Sequence, residues 1–175
     1  MISQQSRHCT VELHALPSRI GQVRRIISAQ LRYWRLDPLI DHAALGVTEL
    51  LTNVHRHAQP DKRCTVDVAL LLDSLTVSVS DHDPRVPNLT DADTYDTGGR
   101  GLALIAAVSQ SWGVRPSASG KSVWFTLPAP PGSVAARPAH CPVYGAATDG
   151  PFDGADLEAV ILEYGHATAR TVVMG

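Results

Sequence analysis

Cysteine is scarce in this 175-residue chain: Cys9, Cys64 and Cys141 are widely spaced and odd in number. That usage offers no disulfide framework and no zinc-ligand spacing, so free thiols in a reducing compartment are expected. An excess of either charge is also missing. The formal net charge is -2, which argues against a broad basic surface for nucleic acid. Arg24, Arg25, Arg32 and Arg35 leave only a local basic patch open. Nowhere do about 18 apolar residues run uninterrupted, so no membrane span is expected. The opening MISQQSRHCT lacks the apolar stretch of a secretory signal. These absences together point to a cytoplasmic protein. No internal repeat is found.

What is present is the composition of a folded domain, 44% hydrophobic and 18% charged, with room for one core and a short appendage. Thr10 to Ala15 alternates apolar and polar residues, as a half-buried strand does. Pro17 and Ser18 punctuate it, with Ser18 the expected N-cap of a helix carrying Ile20, Val23, Ile27, Leu31 and Trp34 on one stripe. Asp37-Pro38 starts a second helix that runs to about His57, its core stripe Leu39, Ala43, Val47, Leu51, Val54 and Ala58. Cys64–Leu72 and Leu75–Ser80 read as two strands of a hairpin. Asp81 to Thr97 loses all periodicity and reads as a functional or disordered loop. A third helix follows Gly98-Gly99-Arg100-Gly101 to about Ser111, then strands at Trp112–Pro116 and Lys121–Leu127. The order β-α-α-β-β-loop-α-β-β implies an α+β two-layer sandwich, with helices on one face of a mixed, mainly antiparallel sheet. The expected domain is 10–128. The segment 129–175 is a tail, rich in Pro, Ala and Gly at first, with a short helix near 156–164.

Three clusters carry chemistry. Glu49, Asn53 and His57 recur every fourth residue, so they line one helix flank, rotated away from the core stripe. A carboxylate and an amide oxygen one turn apart suit Mg2+, which shares its remaining positions with water and phosphate. His55 and His57 point to different sides of that helix, which is wrong for zinc. Asp81 closes a strand, where a carboxylate can accept a hydrogen bond from the exocyclic amine of adenine. Gly98-Gly99-Arg100-Gly101-Leu102 enters a helix, where backbone N–H groups and the positive dipole end favour phosphate. It has neither the Walker A spacing nor the Rossmann context.

In this order and spacing the clusters resemble the N-box, G1 box and G2 box of the GHKL (Bergerat-fold, histidine-kinase-like) ATP-binding superfamily. The similarity is greatest to its anti-sigma-factor serine-kinase branch. It rests on Glu49-Leu50 through Asn53, Arg56-His57-Ala58, Asp81 with Pro84 and Pro87, and Gly99-Arg100-Gly101-Leu102, with Trp112-Gly113-Val114 and Gly120 to Trp124 in support. The resemblance implies that Asn53 holds Mg2+ against ATP, that Glu49 is catalytic, acting as or positioning the base toward the attacking hydroxyl or water, and that His57 lines the pocket. It implies further that Asp81 reads adenine, Val86 covers the base, Gly99, Arg100, Gly101 and Leu102 hold phosphate, and 83–97 form the lid. The implied partners are a STAS-type anti-sigma-factor antagonist, phosphorylated on Ser or Thr, and a sigma factor, with homodimerisation left open. A non-catalytic ATP-gated interaction module is the alternative. Two departures stand out. Asp83-Pro84 occupies the place of a common Gly-x-Gly, which predicts a stiffer lid hinge. Lys121 stands where a Thr often supports the adenine contact, leaving open whether Ser122 supplies that hydroxyl.

Overall fold

The structure, a computed structural model, describes residues 7–86 and 100–133 and the backbone of 171–173. Its elements follow as β1 (Arg7–His14), α1 (Pro17–Tyr33), a 3-10 turn (Asp37–Leu39), α2 (Ile40–His57), β2 (Arg63–Leu71), β3 (Ser74–Asp81), α3 (Arg100–Val108), β4 (Ser111–Ser117), β5 (Gly120–Pro128) and β6 (Thr171–Val173). All strands join one sheet in the order β4-β5-β3-β2-β1-β6. Every pairing is antiparallel except that of β1 with β6, which is parallel from Thr10↔Thr171 to Glu12↔Val173. The helices form the second layer, so the chain is the expected α+β sandwich.

The two-residue period of the strands decides which side the helices cover. Cys9, Val11 and Leu13 of β1, Val66, Val68 and Leu70 of β2, Leu75, Val77 and Val79 of β3, and Val123, Phe125 and Leu127 of β5 are all buried. Their neighbours, such as Thr76, Ser78, Thr126 and Thr10, are only half-buried. Onto this face α1 sets Ile20, Val23, Ile27, Leu31 and Trp34, and α2 sets Ala43, Val47, Leu51 and Val54, the stripes that the heptad-like spacing predicts. Each large side chain so buried contributes about 1.5–3 kcal/mol from removed apolar surface. Among the described residues, no helix is long and apolar enough to cross a membrane.

Local details depart from the sequence reading. Ser18 does not cap α1. Leu16 occupies the N-cap with no side-chain bond, Pro17 starts the helix, and the Leu16 carbonyl accepts the Ile20 N–H at 3.1 Å. Proline suits that first position because its missing N–H would have no partner there. Pro38 lies in the separate 3-10 turn rather than in α2, and α3 stops at Val108, short of Ser111. The expected helix at 156–164 lies outside the described residues, and β6 was not anticipated from the sequence.

The two layers approach closely at Gly46 of α2, where a Cβ would stand 2.3 Å from Phe125 Cζ. Phe125 is fully buried and has no room to retreat. Gly46→Ala is therefore expected to destabilise the fold by about 1–3 kcal/mol through overpacking, despite the better helix propensity of alanine. A lowered urea midpoint at unchanged m-value reads this out; an unchanged or raised midpoint would contradict the tight packing.

Candidate functional site

The inward column of β3 continues past Val77 and Val79 to Asp81, and that of β5 past Phe125 and Val123 to Lys121. Asp81 and Lys121 are directly opposed in the antiparallel register. Both side chains therefore enter the space between sheet and helices at the end of the apolar column. Lys121 Nζ donates to Asp81 Oδ1 at 2.9 Å and to the Asp83 carbonyl at 2.9 Å, with the two side chains 10% and 4% exposed. The Asp83 N–H also donates to Asp81 Oδ1, at 2.8 Å. Among the described residues, nothing donates to Asp81 Oδ2, and the third N–H of Lys121 meets no acceptor. Gly120 makes this closure possible: a Cβ there would lie 1.8 Å from the Asp81 carbonyl oxygen, so no other residue fits. Ser122 pairs with Ser80 on the opposite face and does not turn toward Asp81.

Immediately after β3 the chain is fastened to the end of α2. Asp83 Oδ2 accepts the Gln59 N–H at 2.9 Å, and the Arg85 guanidinium grips both Asp83 oxygens, with Nε to Oδ1 at 2.9 Å and one terminal nitrogen to Oδ2 at 2.6 Å. The same terminal nitrogen donates to the His57 carbonyl at 3.0 Å. These bonds hold the Asp83 carboxyl well below the usual carboxylate range, the Arg85 side chain being the largest cause. Beside them, burial first, and then the charge of Asp81, push the Cys64 thiol up to about 12.

On α2 the polar flank meets α3. A Cβ on Gly101 would come within 2.7 Å of Glu49 Oε2, so the absent side chain lets the Glu49 carboxylate rest against the first turn of α3. Asn53, one turn further on, is half-buried, and His57 ends the helix with an exposed side chain. Gly46 packs on Phe125, which fixes the level of α2 over the sheet. From that row Asn53 lies seven residues along the helix, about 10 Å. Asp81 and Lys121 lie four residues along their strands, about 13 Å. The flank of α2, the start of α3 and the Asp81–Lys121 pair thus gather at one end of the sheet.

A family model described as the histidine kinase-like ATPase domain matches residues 13–127. That is most of the chain. The protein belongs to the histidine kinase-like ATPase domain family. An uncharacterized protein of Streptomyces coelicolor is also similar, 40% identical over 80 residues that span 44% of this chain and 76% of the relative.

Within this histidine kinase-like ATPase domain, whose family implies ATP binding, the remaining sequence-derived residues are placed differently. Glu49 and Gly101 come together, Leu102 is buried in the hydrophobic core, and Asp81 is buried at the strand end. Val86 is 50% exposed and lies on the surface of the described loop. Gly99, the Arg100 side chain and lid residues 87–97 lie outside the described residues. The sequence reading singled out Lys121 as a departure without foreseeing its partner, and missed the clamp of Asp83 and Arg85. The alternation in Leu75–Asp81 and Lys121–Leu127 carried the first signal, because it places both charges on the apolar side. Among the described residues, no group of three or more His, Cys, Asp and Glu side chains is arranged to hold a metal. A cation shared with a triphosphate needs no such group.

Because the folded-state pKa of Asp83 is depressed, its contribution to stability is present above the unfolded aspartate value, near 3.9. It is lost as pH falls through that value toward the folded one. The stability gap between the wild type and Asp83→Asn is expected to shrink steadily below about pH 5. Urea denaturation at a series of pH values measures the gap; one that stays constant down to acid unfolding would contradict the assigned role.

Proposed function

We propose that this domain is an Mg-ATP-dependent regulator that transfers the γ-phosphoryl group to a serine or threonine of a partner protein. The observation that carries the reading is the Glu49 carboxylate resting against Gly101 at the opening turn of α3. A helix N-terminus attracts phosphate, and Glu49 waits beside it as an acceptor for the proton of an attacking hydroxyl. As the hydroxyl oxygen bonds to the γ-phosphorus, its proton passes to Glu49, and the bond to the bridging oxygen breaks with its electrons leaving on ADP. Asp81 Oδ2, left without a donor among the described residues, accepts the adenine amine. Arg100 and the backbone of Gly99 and Gly101 hold phosphate, Val86 covers the base, and His57 borders the ribose side.

The donor set fits a magnesium ion: a half-buried amide at Asn53 stands one turn from a carboxylate, and both are hard oxygen ligands. Asn53 and the phosphates would hold the ion, which would neutralise charge on the transferred group. The resemblance to anti-sigma-factor serine kinases supports a STAS-type antagonist as phosphoryl acceptor and a sigma factor as the second partner.

A second reading, an ATP-gated interaction module without transferase activity, is favoured by the Asp83–Arg85 clamp. It ties the stretch Asp83–Arg85 to the end of α2, so a change at the site beside Asp81 would be felt at the C-terminal end of that helix. Labelled ATP with candidate antagonist proteins separates the readings, because phosphoserine or phosphothreonine on a partner requires transfer.

Asn53→Ala is expected to abolish the rise in melting temperature that Mg-ATP gives the wild type, since a ligand of the folded state must stabilise it. Glu49→Gln is expected to keep nucleotide affinity within about threefold while slowing transfer by about 10²–10⁴. Calorimetry and a phosphotransfer assay on both variants check this pair. Unchanged Mg-ATP affinity in Asn53→Ala would remove the magnesium assignment.

A further inference from the structure

We infer that Lys121 is a base-reading residue, whose spare N–H donates to N1 of adenine while the spare oxygen of Asp81 accepts the N6 amine. The inference rests on the ATP reading above and assigns the specificity of that site to a pair of side chains rather than to Asp81 alone.

Lys121 and Asp81 are neighbours at the mouth of the inward column, held 2.9 Å apart. Each has part of its hydrogen-bonding capacity spent and part unspent. The ammonium has three donors. One goes to Asp81 Oδ1 and one to the Asp83 carbonyl. Asp81 Oδ1 takes the ammonium and the Asp83 N–H, whereas Oδ2 takes nothing from the described residues. The two bonds on Oδ1 fix the carboxylate plane, so the direction of Oδ2 is fixed as well. The bond to the Asp83 carbonyl likewise fixes the ammonium, and that carbonyl cannot wander because the Asp83 side chain is clamped by Gln59 and Arg85.

The result is one free acceptor beside one free donor, both on side chains at least nine-tenths buried. Hydrogen bonds made in a site largely withdrawn from water are stronger than those at the surface, so a ligand that satisfies both groups gains more there. The Watson–Crick edge of adenine presents an amine donor at position 6 next to an acceptor at position 1, and matches this pair in order. Hypoxanthine and guanine present the reverse, an acceptor at position 6 and a donor at position 1, and are mismatched at both. Ser122 cannot share the task, because register places it opposite Ser80 on the other face.

The test compares ATP, 1-deaza-ATP (which has no acceptor at position 1) and inosine triphosphate by calorimetry with magnesium on the full chain. The wild type is expected to bind ATP about 10- to 100-fold more tightly than 1-deaza-ATP, the value of a hydrogen bond to a charged donor. Lys121→Met should lose that preference and bind ATP and 1-deaza-ATP alike, and Lys121→Arg should restore part of it. A residue that merely supports the fold would weaken all three nucleotides together. Equal wild-type affinity for ATP and 1-deaza-ATP overturns the inference, as does a Lys121→Met protein that still prefers ATP or binds it more tightly than the wild type. If Lys121→Met does not fold, the wild-type comparison and Lys121→Arg decide. Should the wild type bind none of the three, the ATP reading falls and this inference with it; binding without N1 discrimination sinks only the inference.

Discussion

The arrangement depends on one register. β3 and β5 run antiparallel with Val77 opposite Phe125, Val79 opposite Val123 and Asp81 opposite Lys121. A slip by one residue would send the apolar column to the open face and both charges with it. The core and the site are therefore not independent. The packing that fixes Phe125 under Gly46 also fixes where a carboxylate and an ammonium emerge from the sheet. Withdrawing such a pair from water is expensive, and leaving either member alone costs more, so each side chain depends on the other.

Around that register α2 contributes two sides and one end. One side carries Ala43, Val47, Leu51 and Val54 into the core. A second carries Glu49 and Asn53, and there Gly101 of α3 is small enough to admit the Glu49 carboxylate. Its C-terminal end is bolted by backbone groups: the Gln59 N–H to Asp83 and the His57 carbonyl to Arg85. A helix so fixed at its middle and its end holds polar side chains at set positions. The proposed phosphoryl transfer would demand that more than any unusual reactivity.

Much of this was legible in the sequence because helical and strand periods are local. Both helix stripes, the hairpin of β2 and β3 and the grouping of Glu49 and Asn53 followed from spacing alone. What was missed required knowing distant pairings. Lys121 faces Asp81 only because strands forty residues apart adopt a particular register, which no window of sequence displays. Asp83 looked like a stiff substitute for glycine, and its carboxylate proved to be a clamp reaching Gln59 and Arg85. Ser18 was displaced as a cap because Pro17 had already taken the first helical position. The strand Thr171–Val173 is too short to show a period, and its pairing with β1 is made by backbone groups that every residue possesses.

That short strand has a consequence for how the sheet meets other molecules. A backbone ladder from Thr10 to Glu12 is filled by a segment of the same molecule. A foreign strand seeking to extend the sheet along these residues would have to win a competition against a tethered rival. Dilution does not weaken that rival, because its effective concentration is set by the connecting chain and not by the solution.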